Sequence, residues 1–272
     1  MSNAPTDAAF SGSIPKIYEQ FLVPLIFQPY ADDIARRAAA LAPSRVLELA
    51  AGTGVATRAM AGRLPETTTI VATDLNPAMI GEAAAFDMAR PVEWKQADAM
   101  QLPFEDASFD LVVCQFGVMF FPDRAKAYAE VRRVLRPGGR FLFNVWGALD
   151  DNEIADTVER SMAALFPENP PRFLSRTPYG YHSRMLITAD LQRAGFTSVP
   201  SFDTVPAPAR APNAHAAAAG YCQGTPLRAE ITERDPAGLG TTTEKVADAI
   251  ARRFGAGEID TRIQAVVVGV DA

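Results

Sequence analysis

With 272 residues, of which 48% are hydrophobic and 21% charged, the chain is long enough to bury a sizeable core and too apolar for intrinsic disorder. Its formal net charge of -6 argues against a dedicated nucleic-acid binder, whose affinity comes largely from neutralising phosphates. Two widely separated cysteines, Cys114 and Cys222, exclude a disulfide framework and suit a reducing cytoplasm. No apolar run is long enough to span a bilayer, and Met1 to Phe10 has neither the basic start nor the apolar core of a secretory signal.

Taken in chain order, Ile14, Ile17, Phe21, Leu22, Leu25 and Ile26 recur at helical spacing, with Pro24 expected to bend or break the run. A second helix is expected over Ile34 to Leu41, stopped by Pro43. The period then changes. Arg45 to Leu49 reads as a buried strand ending in a glycine turn, and Val55 to Arg63 as a helix. Thr69 to Thr73 is a strand closed by Asp74. A helix begins near Asn76, with Pro77 in its first turn, where a missing N–H costs nothing. Val92 to Gln96 alternates like a strand, and Phe109 to Cys114 is an apolar one. Asp123 to Leu135 is a helix stopped by Pro137-Gly138-Gly139, and Arg140 to Trp146 another strand. Beyond Ala148 the rhythm changes to helix over 150–166, a Pro- and aromatic-rich loop over 167–183, and a short helix from Thr188 to Gly195. A strand from Phe196 to Val205, an Ala-rich helical stretch over 213–254 and a closing strand from Arg262 to Val270 complete the chain. Strand–helix alternation with nearly continuous apolar strands predicts an α/β fold whose parallel sheet is covered by helices on both faces.

The chemistry concentrates at strand ends. Glu48-Leu49-Ala50-Ala51-Gly52-Thr53-Gly54 supplies the sharp turn and close backbone approach that glycine permits, ahead of a helix whose first N–H groups are free. Asp74, 26 positions after Glu48, ends the second strand, where a carboxylate accepts from both hydroxyls of a ribose. Asp98 ends the third, in Gln96-Ala97-Asp98-Ala99-Met100-Gln101-Leu102-Pro103-Phe104. A carboxylate there suits an exocyclic amine, with Ala99 and Met100 packing on the ring. No grouping of His, Cys and acidic residues has metal-ligand spacing.

These segments, with Phe109-Asp110-Leu111-Val112-Val113 and Leu135-Arg136-Pro137-Gly138-Gly139, resemble the successive motifs of class I S-adenosylmethionine-dependent methyltransferases. The likeness is greatest to the small-molecule branch that includes the ubiquinone/menaquinone-type enzymes. It covers about residues 40–146, and departs from the family where Ala50 stands in place of a third glycine. The resemblance implies a Rossmann-like, doubly wound, seven-stranded, mostly parallel sheet with an antiparallel last strand. It implies S-adenosylmethionine as cofactor, S-adenosylhomocysteine as product, and a small-molecule methyl acceptor as partner. It counts Glu48 and Ala50 among the cofactor-binding residues, and puts Gly52 and Gly54 beside the amino-acid moiety, Asp74 on the ribose, and Leu75 and Met79 near the adenosine. Asp98, Ala99 and Met100 would sit at the adenine, and Gln115 and Phe116 would face the methionine end.

Three segments are expected: an N-terminal helical lid over 1–41, a cofactor-binding core over 42–148, and a substrate side over 149–272 with an insertion at about 207–259. In similar enzymes such an N-terminal helix covers the cofactor, where Tyr18 would bond the methionine part. Little catalytic machinery is needed when the methyl sits on a sulfonium, since alignment alone can supply roughly 7–11 kcal/mol. Of the two histidines, His182, after Tyr179-Gly180-Tyr181, is the candidate general base, and His215 reads as solvated. Two other readings stay open: a non-catalytic S-adenosylmethionine-binding regulatory protein, and an NAD-dependent dehydrogenase sharing the glycine turn and the ribose acid.

Overall fold

Apolar strands that must bury both faces set the architecture. A computed structural model describes residues 7, 8, 10 and 12–272; residues 1–6, 9 and 11, on which part of the expectation of no secretory signal rests, lie outside it. The chain opens with α1 (Ile14–Ile17), a wide π-helical stretch (Tyr18–Phe27) and α2 (Gln28–Ala40). The N–H of Gln28 donates to the carbonyl of Val23, five residues back. That wider turn accommodates Pro24, whose ring would collide with the preceding carbonyl of an ordinary α-helix. So Pro24 neither ends nor splits the helical run, and α2 begins at Gln28 rather than at the expected Ile34.

Strand–helix alternation follows as β1 (Arg45–Glu48), α3 (Val55–Ala61), β2 (Thr69–Asp74), α4 (Pro77–Ala84), β3 (Glu93–Gln96), β4 (Phe109–Gln115), α5 (Arg124–Val134) and β5 (Leu135–Trp146). Then come α6 (Glu153–Leu165), α7 (Phe173–Arg176), α8 (Arg184–Arg193), β6 (Ser201–Ala211), α9 (Ala214–Gln223), α10 (Leu227–Arg234), α11 (Leu239–Phe254) and β7 (Ile259–Asp271). Among the described residues seven strands form one sheet in the order β3-β2-β1-β4-β5-β7-β6. Its first five strands pair in parallel, and β7 runs antiparallel to β5. This is the expected fold class.

Several boundaries differ from the sequence expectation for local reasons. The Pro137-Gly138-Gly139 turn does not separate helix from strand: Phe109 pairs with Leu135 and Leu111 with Arg140, so the intervening residues bulge out of β5. Gly138 takes a left-handed φ of 77° there, and a Cβ on Gly139 would stand 2.9 Å from the Arg136 carbonyl oxygen. The strand expected from Phe196 starts at Ser201 instead, because Phe196 is a buried core ring stacked 6.5 Å from Phe141. The expected loop over 167–183 contains the single turn α7.

The chain divides into two compact units. The core unit comprises residues 30–146, 181–205 and 265–272. Its interior is the middle of the sheet, where Val46, Leu47, Leu111, Val112, Val113, Phe141 and Phe143 are fully buried, each such side chain contributing roughly 1.5–3 kcal/mol. The amino ends of the central strands are tied by charge: the Ser44 and Arg45 amides donate to Asp110 Oδ2 at 2.9 and 2.7 Å, and Arg136 donates to its Oδ1 at 2.6 Å.

The other unit, residues up to 29 with 147–180 and 206–264, is helical. The Ala-rich helix α9 packs on α11 and on the π-helical stretch, and α6 packs on α11. Small residues permit the approach: a Cβ on Gly220 would stand 3.1 Å from Leu22 Cδ2. A buried carboxylate ties down the described N-terminal residues. Asp7, 2% exposed, accepts from the Arg176 guanidinium and from the Thr177 hydroxyl, while Arg176 also donates to Glu230 Oε1 at 2.6 Å. Asp7→Ala should therefore lower the unfolding free energy by about 2 kcal/mol, the order of one hydrogen bond to a charged group. Urea titration checks this, and a change below about 0.5 kcal/mol, the range of surface substitutions, would contradict it.

Candidate functional site

The site grows from the place where the winding of the sheet reverses. β1 and β4 are neighbours, with β2 and β3 on one side and β5 on the other. The loops leaving the carboxyl ends of β1 and β4 must therefore diverge, and a crevice opens between them. All of this lies within the core unit.

The β1 turn is held open from beneath. The Leu49 N–H donates to the Val113 carbonyl at 2.8 Å and the Ala51 N–H to that of Thr73 at 2.9 Å. The chain then reverses through left-handed residues at Ala50 (φ 51°), Gly52 (φ 58°) and Gly54 (φ 82°). Gly54 starts α3, and a Cβ there would stand 3.0 Å from the Trp94 ring. A Cβ on Gly52 would meet nothing within 4 Å, so the open side of the turn lies at Gly52. Ala50 is the costly member, since the left-handed region costs an L side chain on the order of 1–2 kcal/mol.

Asp74 fixes the turn. It is 7% exposed; its Oδ2 accepts the Gly52 N–H and its Oδ1 the Asn76 N–H, each at 2.8 Å. One carboxylate thus joins the glycine turn to the start of α4. Burial pushes its pKa up, against the pull of the Asn76 and Gly52 amides. Glu48 lies just below, 1% exposed, accepting from Thr57 Oγ1 at 2.6 Å. Burial pushes the Glu48 carboxyl up to about 8, against the Thr57 hydrogen bond and with a further rise from neighbouring Asp74.

The outer strands bring the remaining residues. Leu75, directly after Asp74, is 53% exposed, its carbonyl accepting from Gln96 Nε2 at 3.0 Å; Met79 on α4 is buried. Asp98 begins a tight turn: its Oδ1 accepts the Met100 N–H at 2.8 Å and its carbonyl the Gln101 N–H at 2.9 Å. Asp98, Ala99 and Met100 are half-buried. The loop after them is clamped to α5, where Arg133 donates to the carbonyls of Leu102 and Phe104 at 3.0 and 2.7 Å. Arg133 also bonds Glu130, whose carboxyl it holds below the usual range.

At the end of β4, Gln115 and Phe116 are buried, and Phe116 takes a left-handed φ of 51°. Pairing of Glu48 with Val113 and with Ala72 puts Glu48, Gln115 and Asp74 on one sheet face, since side chains alternate along a strand. Gln115 Oε1 and Thr53 Oγ1 are buried with no hydrogen-bond partner among the described residues. Orphaned polar atoms of this kind are expensive in a finished core, and they fit a polar ligand on the open side of the glycine turn.

The structure brings Glu48, Ala50, Gly52, Gly54, Asp74, Leu75, Met79, Asp98, Ala99, Met100, Gln115 and Phe116 to the carboxyl ends of β1–β4. Tyr18 belongs to the helical unit, stacked 4.9 Å from Phe27. His182 is exposed, two residues before α8 in the core unit. The aromatics before it are anchors: Tyr179 OH lies 3.5 Å from Tyr221 OH, and Tyr181 OH donates to Asp190 Oδ2 at 2.7 Å. Sequence reading missed Thr57, the Arg133 clamp, and the three residues around Phe116: Asn144, which accepts its N–H, Trp146, stacked on its ring, and Tyr30, edge-on to it. Only Asn144, a polar residue within an apolar strand, carried a visible signal.

Residues 47–143 match the family described as "Methyltransferase domain". A demethylmenaquinone methyltransferase of Deinococcus radiodurans is 40% identical over 110 residues, which cover 40% of this chain and 45% of that protein. The chain spans about half the length of the curated relatives it matches. Among solved structures, the YcgJ protein of Bacillus subtilis superposes with a TM-score of 0.56 at 21% identity, covering 89% of this chain and 98% of that one. Phosphoethanolamine N-methyltransferase 2 of Haemonchus contortus, solved with S-adenosyl-L-methionine, does so with 0.58 at 17%, covering 97% and 58%.

The raised pKa of Glu48 has a measurable sign. The folded protein keeps this proton above the ordinary value of 4.5, whereas the unfolded chain releases it there. The contribution of Glu48 to stability is thus fullest below about pH 4.5 and declines as pH rises to about 8, by at most ~1.4 kcal/mol per pH unit. Glu48→Gln lacks this slope. Its unfolding free energy relative to wild type should climb by on the order of 2–4 kcal/mol between about pH 5 and pH 8. A flat difference would show that Glu48 ionises freely in the folded state.

Proposed function

We propose that this chain, whose residues 47–143 form a methyltransferase domain, binds S-adenosylmethionine and transfers its methyl group to a small-molecule acceptor. The observation that carries the reading is the Asp74 carboxylate, buried at the crevice and fastened to Gly52, and paired on the next strand with Gln96, two residues before the Asp98 turn. A carboxylate oxygen accepts more than one hydrogen bond, so each oxygen of Asp74 keeps capacity for a ribose hydroxyl beside its amide. Leu75 offers an exposed apolar side chain to a base, and the Asp98 turn an acceptor for an exocyclic amine. Gly52, with the unpartnered oxygens of Thr53 and Gln115, suits the charged amino-acid end.

The bound cofactor supplies an activated methyl on a sulfonium. The protein's contribution is to hold it, align the acceptor and exclude water. An NAD-dependent dehydrogenase would share the glycine turn and ribose acid but leaves the Asp98 turn without a role. Free, buried Cys114 and Cys222 support a cytoplasmic setting, and no described helix is long and apolar enough to cross a membrane.

Calorimetry should show S-adenosylhomocysteine binding with NAD far weaker, and Asp74→Ala should weaken it at least about tenfold through lost charge-assisted bonds. Equal or tighter NAD binding would overturn the cofactor. With labelled cofactor and a panel of acceptors, transfer is expected; binding without transfer to any acceptor would favour a regulatory protein.

A further inference from the structure

Phe116 is the most strained large residue of the core unit, a bulky side chain at φ 51° in the region that L residues avoid. Such a conformation persists only where its surroundings over-determine it, and here they do. The Phe116 N–H donates to Asn144 Oδ1 at 2.9 Å and, more weakly, to the Asn144 backbone carbonyl at 3.3 Å. Trp146 stacks on the ring with centroids 3.9 Å apart and planes 10° from parallel, and Tyr30 meets its edge at 5.3 Å. Asn144 is 0% exposed and Trp146 2%. Asn144 spends its carbonyl oxygen on this one amide while its Nδ2 finds no partner among the described residues. A polar side chain in the centre of an apolar strand is costly unless what it holds matters.

One residue further on, the strain reaches the glycine turn. A Cβ on Gly117 would stand 2.5 Å from Ala50 Cβ and 2.7 Å from Cys114 Sγ, so the exit of β4 rests directly on Ala50. Ala50 is itself left-handed, at φ 51°, and leads within two residues to Gly52. Contact is therefore continuous from Asn144 and Trp146 on β5, through Phe116 and Gly117, to the turn that Asp74 fastens.

We propose that Asn144, supported by Trp146, is a positioning residue for the S-adenosyl ligand: by holding Phe116 in its left-handed turn it sets the β1 glycine turn in its binding shape. The proposal rests on the cofactor reading above. Glycine adopts positive φ freely, so a glycine at position 116 does not need to be held.

A double-mutant cycle with S-adenosylhomocysteine as probe tests this by calorimetry. Asn144→Ala is expected to weaken binding about tenfold in the wild-type background, but less than about twofold in the Phe116→Gly background, the coupling expected of residues in contact. Asn144→Asp keeps an acceptor for the Phe116 amide and should stay within about threefold of wild type. If Asn144→Ala does not fold, Trp146→Leu enters the same cycle with the same expected pattern. Equal losses in both backgrounds, or a loss with Asn144→Asp as large as with Asn144→Ala, would overturn the positioning role while the cofactor reading stands. A wild-type protein that binds no S-adenosylhomocysteine overturns both.

Discussion

The Asp74 carboxylate accepts one amide from the glycine turn after β1 and another from the start of α4. Placing an acid where it is 7% exposed is unfavourable, and two amide donors offset much of that cost because hydrogen bonds to a charged group are worth roughly 1.5–3 kcal/mol each. The same bonds, with that of the Ala51 N–H to the Thr73 carbonyl, fix the distance between the two loops. Glu48 below it, its carboxyl pushed up to about 8 chiefly by burial, keeps its proton near neutrality and adds no negative charge beside Asp74. The strand ends are thereby braced before any ligand arrives, and binding need not repeat the ordering of the turn.

Around this brace the core unit spends much of its polar structure on holding loops. Asp110 binds the chain where it enters β1, and Arg133 clamps the loop after β3 to α5. Asn144 holds the exit of β4. Arg133 and Asn144 act on backbone groups beyond the carboxyl ends of β3 and β4, the side of a parallel sheet where function gathers, whereas Asp110 ties the opposite, amino ends of β1 and β4. A reaction whose electrophile is already activated needs such alignment more than it needs proton-transfer groups.

Much of this was legible in the sequence, for physical reasons. Strands buried on both faces have to be apolar, so β1, β2 and β4 announced themselves, and the left-handed backbone at Gly52 and Gly54 required glycine at those positions. Asp74 and Asp98 stood out as acids at the ends of apolar runs. What stayed hidden depends on long-range contact. Arg133 on a helix looks like any surface arginine until the loop it clamps is folded beside it. Phe116 was expected at the methionine end, but no pattern marks a left-handed phenylalanine. Pro24 was expected to bend or break the run because an α-helix cannot absorb it, but the wider turn can. The strand from Ser201 was misplaced because Phe196, apolar enough to begin a strand, is buried against Phe141 instead.

The most direct measurement of the central claim is a crystal structure of the protein with S-adenosylhomocysteine. The ribose hydroxyls should lie on Asp74, the adenine beside Leu75 and the Asp98 turn, and the amino-acid end at Gly52. Gly52 should keep its left-handed φ and its bond to the carboxylate. A ligand bound elsewhere, or a glycine turn released from Asp74 to admit it, would contradict a site braced in advance at the end of β1.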